Sequence, residues 1–128
     1  MNVLDKYLAP HANALVLRQK RMEVLGANIA NAATPNYKAR DIDFSSAYEQ
    51  AMSGQGSLAT TSNGHIETAS GSAPETLFRT PVSASLDGNT VELHVEQLQF
   101  AENATRYEAS LQFLSDRIRG LRSALRGE

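Results

Sequence analysis

Apolar residues recur at spacings of three and four near both ends of this 128-residue chain and thin out between them. Leu4, Leu8, Leu15, Met22, Leu25 and Ile29 keep that rhythm at the start, with His11 and Arg18 in the polar slots of the same stripe. This is the pattern of an amphipathic helix with a packing seam. Pro10 is awkward inside a helix but comfortable at its first position. The spacing therefore predicts a short turn over residues 3–8 and a main helix from Pro10 to Asn31, about 33 Å long. Leu17 and Val24 fall roughly 200° round from Leu15 and Met22, forming a second, thinner stripe that one partner cannot cover together with the first. Two such residues are also within what an ordinary solvent-facing surface carries.

At the other end Leu93, Gln97, Phe100, Ala104, Tyr107, Leu111, Leu114, Ile118, Leu121 and Leu125 hold the rhythm for more than four heptads, which is coiled-coil-like. "DGNTVE" predicts a turn at Asp87-Gly88, an N-cap at Asn89 and Glu92 at the third helical position. Arg117, Arg119, Arg122 and Arg126 gather in the last turns, where the helix dipole favours cations and where a binding patch is a second reading. From Asn89 to Arg126 this helix would run about 55 Å, well beyond the first.

The resulting fold class is mainly α. The N- and C-terminal helices form an antiparallel coiled-coil-like hairpin, with a small irregular, β-containing central segment. Residues 1–35 hold the first helix, 36–88 the extended, loop and small-β segment, and 89–128 the second core helix. Packing of helices and subunits is expected from Leu8, Leu15, Met22, Leu25 and Ile29 on one arm, and from Phe100, Tyr107, Leu111, Leu114, Ile118, Leu121 and Leu125 on the other. Residues 53–90 are rich in Ser, Thr, Gly and Asn. Within them Asn63-Gly64 carries a type I′ hairpin signal, and "TLFRTPVSASL" reads as extended, with Leu77, Phe78 and Val82 as anchors.

Composition adjusts this picture. Aromatics make up 6% of the chain and Trp is absent, so a densely packed globule has few large anchors and burial by self-association becomes an option. A net charge of −2 gives no electrostatic footprint for nucleic acid. With no cysteine, disulfide and thiol chemistry are excluded. The N-terminal stretch lacks a charged region followed by an unbroken apolar run, and no 18-residue apolar stretch could span a membrane. Export, if it occurs, is then expected to keep the N-terminus. His11, His65 and His94 sit in separate segments without a neighbouring ligand at metal spacing. Asp41 and Asp43 in "RDIDF" would share one face of an extended segment, a solvated edge rather than a catalytic pair. No cofactor or small-molecule substrate is implied, and no catalytic motif is present.

The stretch "LGANIANAATPNYKARDIDF" stands out. Asn28 and Asn31 lie one turn apart on a face of small residues, Gly26, Ala27, Ala30, Ala32 and Ala33, which admits a close backbone. Their amides can bond main-chain groups at a helix end, where the last carbonyls lack partners. Thr34-Pro35 ends the helix. Tyr37 is expected to pack back on the seam, and Asn36 to take a left-handed turn position. Residues 25–38 closely resemble the N-terminal signature of the flagellar rod, hook and filament-adaptor family, with Asn28, Asn31, Thr34, Pro35 and Tyr37 as its motif residues. "YKARDIDF", "SLDGNTVEL", "FAENATRYEASLQFL" and "LRSALRGE" extend the resemblance to about two thirds of the chain, on the rod side of the family. Asn36 stands where the family usually has glycine.

The resemblance implies a structural subunit whose terminal helices pair and pack against neighbours around a hollow axis, with the middle segment outward. That gives a use to bare seam and to the second stripe. It implies a place at the base of the periplasmic rod, export through the flagellar type III apparatus without a cleavable signal, and partners in further copies of itself, the neighbouring rod protein FlgC, the adaptor FliE and the export gate. A soluble helical adaptor or export chaperone of a type III secretion system, using the same faces on a cytoplasmic partner, is the alternative.

Overall fold

The computed structural model describes residues 3–53, 74–83 and 85–127. Helix α1 is Val3–Ala30, strand β1 Arg40–Ile42, helix α2 Phe44–Ser53, strand β2 Thr76–Phe78 and helix α3 Leu93–Arg126. The chain is mainly helical, and α1 and α3 pack along each other as an antiparallel hairpin. Tyr7 lies under Arg117, His11 against Phe113, Arg18 beside Ser110, Arg21 beside Gln99 and Asn28 beside Glu96. One residue number climbs as the other falls. The expected hairpin at Asn63-Gly64 lies outside the described residues.

Helix α1 runs unbroken through Pro10, which corrects the expectation that this proline opens the helix. Proline removes the hydrogen bond to the Lys6 carbonyl. Lys6 is exposed, so water can serve that carbonyl, while Tyr7 and His11 on either side are held against α3. Continuous helix makes α1 about 42 Å long against about 51 Å for α3, so less of the longer arm is bare than the sequence suggested.

The back stripe of α1 is covered from within the chain. Leu17 is buried with Ile42 of β1 and Ala47 of α2, and Val24, Phe44 and Tyr48 pack around them. The second stripe is therefore not a surface for a neighbouring subunit. Helix α2, in a stretch expected to be extended or looped, supplies this cover. Asp43 starts it: its Oδ1 accepts from the Ser45 and Ser46 amides at 3.1 and 3.4 Å, an N-cap that stops the orphan donors of the first turn from facing nothing. Phe44, Ala47, Tyr48 and Ala51 then fall at helical spacing on one face.

Strands β1 and β2 pair antiparallel, with Arg40 opposite Phe78 and Ile42 opposite Thr76. The extended reading of "TLF" matches this strand, but the anchors do not: Leu77, Phe78 and Val82 are exposed. A two-stranded ladder three residues long has no second layer to bury them against.

Candidate functional site

The signature residues build the junction where the two long helices meet the strands. Asn28 is fully buried. Its Nδ2 donates to the Arg40 carbonyl at 2.7 Å and to Glu96 Oε2 at 3.0 Å, and its Oδ1 accepts from the Arg40 amide at 3.1 Å. One side-chain amide thus acts on β1 as a neighbouring strand would, leaving the Arg40 peptide groups satisfied. Asn31 turns inward on its own helix end: Nδ2 donates to the Ala27 carbonyl at 2.8 Å, and Oδ1 accepts from the Thr34 hydroxyl at 3.1 Å.

The predicted N-cap at Asn89 is corrected here. Asn89 Nδ2 donates to the carbonyls of Asn31, Ala32 and Thr34 at 2.9–3.0 Å and its Oδ1 accepts from the Val91 amide at 2.7 Å, so it closes the end of α1 and turns the chain ahead of α3 without being that helix's cap. Helix α3 begins four residues later, behind Glu92, which has no side-chain cap bond. The Glu92 carboxylate accepts instead from the Val82 and Ser83 amides. Asn36 does adopt the left-handed region, at φ 60°, and its amide donates to the Asp87 carbonyl at 3.0 Å. Gly88 sits opposite at φ 75°, where a Cβ would lie 2.6 Å from Asn36 Oδ1. Thr90 completes the zip, its amide donating to the Tyr37 carbonyl and its hydroxyl accepting from the Ala39 amide. Tyr37 is partly buried, while Thr34 and Pro35 are exposed.

Beside the junction, four charges alternate in a chain. Arg21 grips Asp41 with two hydrogen bonds, at 2.8 and 2.9 Å, and also donates to Gln99. Arg79 donates to Asp41 and to Glu96, both at 2.6 Å. Glu96 is fully buried, a position a carboxylate holds only when paired and hydrogen-bonded. Here Arg79 takes one oxygen and Asn28 the other. Burial alone would raise the Asp41 pKa, but the bonds from Arg21 and Arg79 outweigh it and hold the carboxyl below its usual range. The Arg21 pKa is raised, chiefly by its bond to Asp41. Asp41 is therefore a structural tie, and Asp43 the cap already described, so the two do not act as a pair.

The face of α3 that meets α1 is centred on a polar row that the seam reading missed: Glu96, Asn103 and Ser110, seven residues apart and all buried. Asn103 Nδ2 donates to the Arg18 carbonyl at 2.8 Å, and the Arg18 Nε donates to the Ser110 hydroxyl at 3.3 Å. The signal was present as a strict heptad of polar residues, but apolar periodicity does not detect it. Among the seam residues, Leu25 is fully buried, and Leu8, Leu15, Met22, Ile29, Phe100, Tyr107, Leu114 and Leu121 are partly buried. Leu111, Ile118 and Leu125 are exposed by 50%, 47% and 87%. The His11 ring is tilted against Phe113, His94 is exposed, His65 lies outside the described residues, and no cluster of metal-ligating side chains occurs among the described residues. No described helix is long and apolar enough to cross a membrane.

Asn28, Asn31 and Asn36 of this junction fall within residues 8–38, which match the sequence family described as flagella basal body rod protein. The similarity extends along the chain. It is 56% identical over 122 residues to the flagellar basal body rod protein FlgB of Cereibacter sphaeroides (strain ATCC 17029 / ATH 2.4.9), covering 94% of each chain. It is 47% identical to the FlgB of Aeromonas hydrophila, over 97% of this chain and 96% of that one. The FlgB of Salmonella typhimurium is 42% identical over the same shares. The chain belongs to the FlgB family of flagellar basal body rod proteins, a family of structural subunits.

Proposed function

We propose that the chain is a subunit of the proximal rod, polymerising through its terminal helices into the hollow shaft that transmits torque and encloses the export channel. Its place is the rod base on the periplasmic side of the inner membrane, reached by export from the cytoplasm. Its neighbours there are further copies of itself, FlgC, FliE and the export gate. The observation that carries this reading is the apolar row of Leu111, Ile118 and Leu125, set at heptad spacing on α3 yet left exposed by the chain's own partner helix. Large apolar side chains in a contiguous exposed row mark an interaction surface.

The test is to replace both Leu111 and Ile118 by Asp in a strain lacking its own copy of the gene. Both side chains face solvent in the monomer, so its circular dichroism should be unchanged. Placing two unpaired carboxylates in a packed interface should abolish basal-body assembly and swimming. Normal swimming with intact basal bodies would refute the assembly role of this row. A protein that never sediments with basal bodies would point to the soluble adaptor instead.

A further inference from the structure

Arg18 is an arginine without an acid. Its guanidinium lies 4.4 Å over the Phe44 ring and its Nε donates to Ser110, but no carboxylate meets it among the described residues. The surroundings oppose its charge: burial lowers its pKa, and Arg106 and Arg21 lower it further by repulsion. Arg21 is already committed to Asp41, and Arg106 is paired with Glu102. A partly buried cation pressed by two others is an unfavourable feature of a lone chain. It becomes favourable once a carboxylate arrives.

The same helix pair carries such a carboxylate on its opposite flank. At 100° per residue, Glu108 lies about 120° round α3 from the inward-facing Glu96 in one direction, and Arg106 about 80° round in the other. Glu108 is exposed and forms no ion pair among the described residues. Its level along the hairpin is that of Arg18, since Arg18 touches both Asn103 and Ser110 on either side of it. The two flanks also match below this level. On the Arg106 flank, Tyr7, His11, Phe113, Gly120 and Ala124 line an open groove whose small residues leave room. On the Glu108 flank the exposed Ile118 stands at the level of Tyr7, which lies under Arg117.

We infer that adjacent copies of this chain meet flank to flank, Glu108 of one copy pairing with Arg18 in the notch between α2 and α3 of the next, while Ile118 enters its Tyr7–Phe113 groove. A single sideways placement, with no shift along the axis, brings both contacts together. Because the two flanks differ, the contact is heterologous, and repeating it generates a ring or a helix rather than a closed pair. The inference rests on the polymer reading above and specifies which surfaces it uses.

Reciprocal charge exchange in cells tests it. Glu108→Arg sits on an exposed position and should fold normally while lowering the yield of basal bodies at least tenfold. Arg18→Glu should do the same, with its folding checked by circular dichroism. The double exchange should restore assembly. Because the chain has no cysteine, Glu108→Cys and Arg106→Cys can also be introduced in separate copies and oxidised in isolated basal bodies. Cross-links should form only in the mixed population. Glu108→Arg assembling normally while Leu111 and Ile118 replacements fail would overturn this pairing and leave the polymer reading standing. Failure of the double exchange to recover, or cross-links within a single-variant population, would also overturn it.

Discussion

At the junction end of the hairpin Leu25, Asn28 and Glu96 have no exposed surface, whereas at the open end Leu111, Ile118 and Leu125 expose between 47% and 87% of theirs. The junction is polar and saturated: amides close helix ends, and four charges alternate so that each oxygen of Glu96 has a donor. The row at the open end is apolar and left uncovered. One end specifies how this chain folds, and the other presents surface that the chain itself does not bury. The contrast explains why a protein with few large buried apolar side chains can still hold one register. Hydrogen-bonded groups that tolerate no mismatch set the alignment of the helices, and the apolar row is left for contacts outside the monomer.

The sharpest way to break the contrast is Arg79→Ala. It leaves the buried Glu96 carboxylate with Asn28 alone, and removing one partner of a buried ion pair costs about 3–5 kcal/mol. Urea unfolding of the monomer should show this loss, and adding Glu96→Gln should recover part of it. An unchanged midpoint would mean that the charge chain does not hold the junction. Gly88→Ala should cost less, about 1–3 kcal/mol, for forcing a side chain into left-handed backbone. Because the new Cβ would meet Asn36 Oδ1, Asn36→Gly in the same chain should relieve part of the loss in a thermal melt. Equal melts for the single and double variants would separate the strain from that contact.

Acid probes the junction more gently. The Asp41 pKa is lowered in the folded chain, so its contribution is complete above the ordinary carboxylate value near 3.9 and is lost as pH falls through the lowered value. Asp41→Asn should be less stable than the parent at pH 7 and should lose less on acidification below about pH 4. Parallel pH profiles for the two proteins would remove Asp41 from the network. The smallest effect on the monomer is expected from Ile118→Asp at the open end, within about 0.5 kcal/mol as for other surface changes, while its effect on basal-body assembly should be among the largest.

Local rules explain which parts were legible. Both long helices announce themselves by period, and the Asn28–Tyr37 stretch by a motif dense in residues with special backbone uses. Asn36 at positive φ follows from its neighbours and from the absence of a better residue for that turn. Helix α2 was equally available, since Asp43 precedes Phe44, Ala47, Tyr48 and Ala51 at helical spacing, but ten residues beside a Ser- and Gly-rich stretch are easily read as loop. Pro10 misled because its cost depends on whether the freed carbonyl can reach water, a property of the surroundings and not of the proline.

From the sequence alone come the two arms, their apolar rhythm and the signature between them, because period and turn chemistry act over a few residues at a time. Tertiary structure decided the rest: that Leu17 and Val24 are covered by α2 and β1, that Asn89 closes α1 instead of opening α3, and that Glu96 is neutralised by Arg79 from a segment seventeen residues away. Those choices depend on which donors and acceptors meet in space once water is excluded, and a linear pattern of apolar positions carries no record of that meeting.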